Sequence, residues 1–435
     1  MHSTHDAMDA WYRIAAISIL LHFNSTAALG QTPVRPGPGP SLTLSEAIAS
    51  AVAVSPDILA AREAVAAARG RERQASAVGN PTVSYTREQT GSGSRANSQD
   101  VLELEQPLEI GGARGVRTQA ARFRREAADA RVNVAESQVA YEVAVAFANA
   151  VAAERRATLA SLIADLFTEA ERVSSQRLAT GDVSGYTARR IRLERNRYAV
   201  LRAEAMLESR AAMLALATLL PPNIDKSRPL ELNLPAIRAL MAARIADSAA
   251  SVALESRADI AALTLEGRAA AADASLARRE RTPVPVFAAG GKRESVGDAP
   301  AQNGFVAGVR LPLPLWDRRA GNVEAFDAEA RGRTAEVTSL RRKASREIAE
   351  AADALRTAEQ QLGAMTPQIT EDAAATLRAA QAAYAEGEIS LLEWLDATRA
   401  YHEVEAGFVN LRSQYVIRAA ALMRAAGTML TQDGK

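Results

Sequence analysis

The chain has no cysteine among its 435 residues. That excludes disulfide scaffolds, zinc ribbons, iron–sulfur sites and thiol nucleophiles at once. Histidine is nearly as scarce: His2, His5 and His22 fall at the N-terminus, leaving His402 alone in the remainder. A His-based triad or multi-histidine metal site has no residues to draw on. Aromatics are 4%, and 52 basic residues face 51 acidic ones, for a net charge of +1. This balance argues against a nucleic-acid binder. No nucleophile, base and orienting group can be assembled, so neither a reaction nor a cofactor is expected. Beyond the N-terminal segment no run of 18 apolar residues occurs, so no spanning helix is expected; alternating barrel strands escape such an average.

What is plentiful is alanine, about 22% of the chain, in an A/E/L/R-rich composition that points to long helices. At the N-terminus, Arg13 precedes the apolar run 14–23, and Ala28-Leu29-Gly30 offers small residues before Gln31. This is the shape of a secretory signal over 1–30. The other reading is a short anchor, although the run is about half of the ~20 residues a spanning helix needs. Residues 31–42, with PVRPGPGP, read as an extended linker.

The chain then repeats itself once. Asp57-Ile58 recurs as Asp259-Ile260 and Tyr85 as Phe287; Gln106-Pro107-Leu108 recurs as Leu311-Pro312-Leu313; RLATGDVS (177–184) recurs as AYAEGEIS (383–390). Three blocks in one order at nearly constant offset imply two copies of a unit, 43–226 and 227–435. Each copy reads as a helix (43–78, 236–281), two short strands, and a very long helical stretch (113–219, 318–430) interrupted at the Gly-containing block. Heptads such as Ile348, Ala351, Leu355, Ala358, Leu362 and Trp394, Ala397, Tyr401, Val404, Phe408 indicate coiled-coil packing with alanine in the seam. Residues 113–178 would span about 100 Å as one helix. Pro367 is expected to kink or end the second stretch.

The strands are expected at 82–89, 101–110, 284–290 and 304–313, with polar loops at 89–100 and 291–303. VLELEQPLEI sets Leu102, Leu104, Leu108 and Ile110 on one face and Glu103, Glu105 and Glu109 on the other. FVAGVRLPLPL sets Phe305, Ala307, Val309, Leu311 and Leu313 opposite Gly308 and Arg310. Such alternation suits a barrel facing lipid outside and water inside, with Glu103, Glu105 and Arg310 in the lumen. Hairpins covering a periplasmic helical core are the alternative. Four strands do not close a barrel, so exposed edges call for oligomerisation.

LTLSEAI, NPTVSYTRE, QPLEIGGARG, LPLPLWDRRAGN and the paired ATGDVS and AEGEIS turns resemble the TolC-like outer membrane efflux proteins across residues 41–430. NPTVSYTRE and QPLEIGGARG are most similar to the CzcC-type heavy-metal branch. The resemblance implies a mainly helical fold: a homotrimer with a 12-stranded barrel in the outer membrane and a helical tube in the periplasm. It also implies a periplasmic adaptor and an inner membrane resistance–nodulation–division (RND) pump as partners, and export of divalent heavy-metal cations through a passive duct. Drug efflux, type I secretion and a periplasmic coiled-coil scaffold are the alternatives.

By the same resemblance, 177–184 and 384–390 are helix hairpins at the periplasmic tip, where Arg177, Leu178, Gly181, Tyr384 and Gly387 contact the adaptor. A turn with no partner is the plainer reading. LEWLDAT (392–398) matches the tip-proximal motif, whose acids are here Glu393 and Asp396. Three residues apart, they share a helix face, and a three-fold axis would make them cation-favouring rings at a constriction. A solvated coiled-coil face is the alternative. The family's gate arginine falls on Ile389 and the acid of the first hairpin on Thr187; Arg189 and Arg190 are the candidate substitute cations. GSGSRA (91–96) lacks the helix and acid of a dinucleotide loop. RRER (278–281) and RRK (341–343) read as solvated faces.

Overall fold

The computed structural model describes residues 41–91, 96–225, 227–247, 254–255 and 257–428. The expected signal segment 1–30, linker residues 31–40 and most of GSGSRA lie outside them. The rest is mainly helical. Strand β1 (Leu42–Thr43) leads into α1 (Leu44–Val54), capped by the Thr43 hydroxyl, which accepts from the Glu46 amide at 3.3 Å. A single helix over 43–78 is not formed. Pro56 disfavours helical backbone at Ser55 (φ −55°, ψ 128°), so α1 ends and α2 (Pro56–Ser76) restarts at an angle of 42°.

Next come β2 (Thr82–Thr90), β3 (Asn97–Pro107), the 68-residue α3 (Ala113–Thr180) and α4 (Gly185–Leu219). The second half runs β4 (Leu230–Glu231), α5 (Leu234–Asp247), α6 (Ala258–Arg279), β5 (Val286–Val296), β6 (Gln302–Arg310), α7 (Ala320–Ala364), α8 (Pro367–Glu386) and α9 (Leu391–Ala425). The expected break falls at Met365 and Thr366, where Pro367 opens a new helix. Sequence had no signal for β1 and β4, which pair in parallel through Leu42 and Leu230. Arg228 secures that contact, donating to both Glu46 carboxylate oxygens (2.7 and 2.8 Å) and to the Ser41 carbonyl.

The long strands form one antiparallel sheet in the order β2-β3-β5-β6, with β3–β5 joining the two halves. The ladders extend into the expected polar loops, to Thr90, Asn97, Val296 and Gln302, because backbone pairing continues through polar alternation. At their other ends they stop short of Leu108–Ile110 and Leu311–Leu313, where Pro107 and Pro312 interrupt the supply of backbone donors. Glu109 accordingly leaves the strand pattern and pairs with Arg117 at 2.8 Å.

Beside the sheet the helices pack in the order α2-α3-α6-α7, and beyond them in the order α4-α3-α9-α8. α3 spans both tiers, about 100 Å at 1.5 Å per residue. Cross-helix ion pairs set the register: Arg62 with Glu136 (3.1 Å), Arg125 with Glu72 (2.7 Å), and Arg124 with the buried Asp273. One core, around Val143, Phe147, Leu216, Met241 and Val416, holds the middle. A second, around Ile163, Phe167, Tyr198 and Trp394, lies toward the hairpins.

Candidate functional site

Two regions carry function-bearing chemistry, at opposite ends of the helices. The first is the sheet. Register places Val83, Tyr85, Leu102, Leu104, Ala289, Phe287, Phe305, Ala307 and Val309 on one face. The large side chains of this face are exposed, Phe305 by 86%. A cross-strand row of Arg87, Asp100, Arg293 and Asn303 closes the apolar band toward the strand-to-strand turns. At its other end the band continues onto exposed Ile110, Leu313, Leu315 and Trp316. The strands are 9, 11, 11 and 9 residues long, the length of a tilted membrane-spanning strand.

The opposite face carries Ser84, Glu103, Glu105, Lys292 and Arg310, interleaved with Val101, Val286, Val306 and small residues. Arg310 makes a bidentate pair with Glu105, both contacts 3.0 Å. The two sit on non-adjacent strands. Ala288 and Gly308 lie in the row between them and leave room for the guanidinium to cross β5. The structure therefore brings Glu105 and Arg310 together with Glu103 on one polar face. The outer edges of β2 and β6 have no strand partner among the described residues.

The second region is formed by the two helix hairpins. α3 and α8 end identically. Gly181 (φ 84°) and Gly387 (φ 82°) adopt left-handed backbone, and the amides of Asp182 and Glu388 donate back to the carbonyls of Arg177 and Ala383 at 2.8 Å. Each following helix opens on a serine cap. Ser184 Oγ accepts from the Thr187 amide at 3.1 Å, and Ser390 Oγ from the Glu393 amide at 3.3 Å. The second cap is a full capping box: the Glu393 carboxylate accepts from the Ser390 amide (2.7 Å) and hydroxyl (2.8 Å). These bonds hold the Glu393 carboxyl below its ordinary value. Thr187 stands at the equivalent third position of the first cap, its hydroxyl 3.0 Å from Ser184 Oγ. Asp396 is exposed on the same helix.

The hairpins are joined. Arg177 donates to the Ala385 carbonyl at 3.4 Å. Behind them one ring from each of four helices packs together. Phe167 (α3) stacks on Tyr198 (α4) at 4.8 Å, Tyr384 (α8) stacks on Trp394 (α9) at 5.0 Å, and Phe167 meets Trp394 at 5.3 Å. Burial raises the pKa of the Tyr384 phenol, against the opposing Arg177 charge. Ile389, at the expected gate-arginine position, packs onto the same cluster. Tyr384 thus faces the interior. The apolar side chains open to solvent here are Leu178, Tyr186 and Leu392.

Sequence reasoning missed the ionic centre beneath the rings. Glu194, buried on α4, pairs with Arg190 (3.0 Å) and Arg197 (3.6 Å) on its own helix and with Arg399 of α9 (3.0 Å). The i−4 and i+3 spacing to Arg190 and Arg197 was visible; Arg399, from the other half, was not. Among the described residues no three His, Asp or Glu side chains cluster as metal ligands.

Residues 249–428 match the outer membrane efflux protein family. The chain is 25% identical over 405 residues to the cobalt-zinc-cadmium resistance protein CzcC of Cupriavidus metallidurans, covering 93% of this chain and 94% of that one. It is 25% identical over 321 residues to the nickel-cobalt-cadmium resistance protein NccC of Alcaligenes xylosoxydans xylosoxydans, covering 73% and 70%. In fold it is similar to the open-state MtrE outer membrane channel of Neisseria gonorrhoeae, with a TM-score of 0.70 at 20% identity over 90% of each chain. The family match thus lies in the second half of the chain, and the likeness to CzcC runs along nearly the whole length of both chains.

Proposed function

We propose that three copies of this chain form the outer membrane exit duct of a tripartite RND-type efflux system that exports divalent heavy-metal cations. The observation that carries the reading is the sheet. Its strands have membrane-spanning length, an exposed apolar face, a charged opposite face and, among the described residues, two unpaired edges. Free edges in a four-stranded sheet favour pairing with further copies, and three copies supply twelve strands. The helices, the longest of them about 100 Å, extend away from that sheet into the periplasm.

Glu103, Glu105 and Arg310 then line the water path, and Glu393 and Asp396 form carboxylate rings at the narrow end. The adaptor contacts the hairpin surface around Arg177, Leu178, Gly181 and Gly387, extended by Tyr186 and Leu392, with Tyr384 supporting it from within. The names of CzcC and NccC support metals as cargo. With His402 as the one histidine outside the N-terminal segment and no cysteine, cation selection falls to the pump, and the duct performs no chemistry.

The absence of cysteine makes the test direct. In liposomes, Glu103→Cys and Glu105→Cys should react with a membrane-impermeant maleimide while Leu102→Cys and Leu104→Cys are protected. Uniform labelling of all four positions, or recovery of the protein without detergent, overturns the barrel. For the cargo, a strain lacking the chain should lose resistance to cobalt, zinc or cadmium, and unchanged resistance removes metals as the substrate.

A further inference from the structure

Between β6 and α7 the chain exposes Leu311, Leu313, Leu315 and Trp316 in succession. Trp316 is 92% exposed, the most of any large apolar side chain among the described residues. An indole joins an apolar body to a single N–H donor, so it favours the boundary between hydrocarbon and water over either side of it.

Cations gather at the same level. RRER (278–281), which the sequence pattern reads as a solvated face, closes α6, and Arg318-Arg319 leads into α7. The two segments are neighbours, because Glu280 lies 3.9 Å from Arg319. Arg279 adds the end of β3 to the same rim by donating to the Gly111 carbonyl at 3.2 Å, beside the exposed Ile110. Three of the five arginines are engaged. Arg278 pairs with Asp327, Arg279 is held at Gly111, and Arg319 stands 3.9 Å from both Glu280 and Asp317. Arg281 and Arg318 are exposed and, among the described residues, have no acid within ion-pair distance. Two available guanidiniums therefore flank the Glu280–Arg319 contact, next to an apolar rim that ends in a tryptophan. Guanidinium groups match phosphate oxygens in charge and in geometry. The ligand that suits the whole surface has acyl chains toward the sheet and a phosphate toward the helices.

We infer that this rim binds acidic phospholipid from the leaflet on the helix side, with Arg281 and Arg318 receiving headgroup phosphate and Trp316 lying at the edge of the acyl chains. The inference rests on the barrel of the proposed function and adds a headgroup site to it.

The test places the full chain in phosphatidylcholine vesicles that contain either phosphatidylglycerol or phosphatidylcholine brominated on its acyl chains. Trp394 is buried, and the difference between the parent and Trp316→Phe isolates the Trp316 fluorescence. Brominated phosphatidylglycerol should quench Trp316 with an affinity about fivefold higher than brominated phosphatidylcholine, or more, since one cation at an acidic surface contributes about that factor. High salt should reduce the ratio. Arg281→Gln with Arg318→Gln should bring it close to one, whereas Arg281→Lys with Arg318→Lys should largely keep it. Inorganic phosphate should leave the quenching unchanged; displacement by it would reassign the arginines to a free anion. Equal quenching by the two lipids in the parent, or an undiminished ratio in the Gln variant, overturns the headgroup site and leaves the barrel standing. An inserted protein whose Trp316 is quenched by neither lipid has its rim covered by protein, which also overturns the site. A chain that does not enter the vesicles overturns the site and the barrel together.

Discussion

Glu194 on α4 accepts a hydrogen bond from Arg399 on α9 at 3.0 Å, and this buried ion pair ties the two halves of the chain behind the hairpins. Arg190 and Arg197 share the same carboxylate. Glu194→Gln keeps one acceptor oxygen but removes the negative charge that three guanidiniums share. Hydrogen bonds to charged groups contribute about 1.5–3 kcal/mol; partial exposure of the arginines sets the expected loss near the lower end. Arg399→Gln leaves Glu194 with two cations and should cost less. Amide hydrogen exchange over 185–200 and 391–402 should quicken most in Glu194→Gln. Equal protection in both variants and the parent would remove this pair as the tie.

Glu393 has two assignments that substitutions separate. As part of a capping box it needs only an acceptor at the third position, which Gln also supplies. As part of a cation-selective ring it needs charge. Glu393→Gln should therefore keep the hairpin's exchange protection and lower cation preference in planar bilayers, whereas Glu393→Ala should lose both. Asp396→Asn should act on selectivity alone. If selectivity is unchanged in Glu393→Gln and Asp396→Asn, the two residues are not at the constriction. The capping bonds lower the pKa of Glu393 in the folded state. Their contribution is therefore present above the ordinary carboxylate value and lost as pH falls below about 4.3.

Much of this fold was legible because its signals are local. The hairpin blocks announced their Gly caps, alternation announced the strands, and Pro367 announced the break in the second long helix. The strand ends were misplaced because alternation continues through Leu108, Ile110, Leu311 and Leu313, while the hydrogen-bond ladder stops near a proline. The candidate site was legible only residue by residue. That Arg310 reaches Glu105, or that Tyr384 turns inward onto Trp394, depends on which element lies beside which, and no spacing along the chain encodes that.

His402 sits edge-on to Tyr198, ring centroids 6.4 Å apart. Burial lowers its pKa; Glu403 opposes that shift, and Arg197 adds to it. Because the folded state holds the proton less tightly than the unfolded chain, stability is complete above the unfolded value of about 6.5 and declines as pH falls below it. The aromatic cluster should therefore melt earlier at pH 5.5 than at pH 7.5, followed by near-ultraviolet circular dichroism. His402→Gln should flatten that difference. A variant with the parent's full pH dependence would assign the effect to carboxylates instead.

Three glycines separate two kinds of constraint. At Gly181 and Gly387 an added Cβ meets open space, yet φ is 84° and 82°. Alanine there should cost about 1–2 kcal/mol through the left-handed backbone alone, and asparagine, which tolerates that conformation, should cost less. Gly290 is the reverse case. It sits in β5 opposite Glu103 of β3, and a Cβ would come within 2.0 Å of the Leu102 carbonyl oxygen. No rotamer relieves a clash with backbone, so Gly290→Ala has to part β3 from β5, the one ladder that joins the two halves of the sheet. The yield of heat-resistant oligomer in detergent should fall sharply for Gly290→Ala and little for Gly387→Ala, whose defect should show as faster exchange at the hairpin. Normal oligomer yield from Gly290→Ala would mean that the two strands lie farther apart in the oligomer than in the single chain.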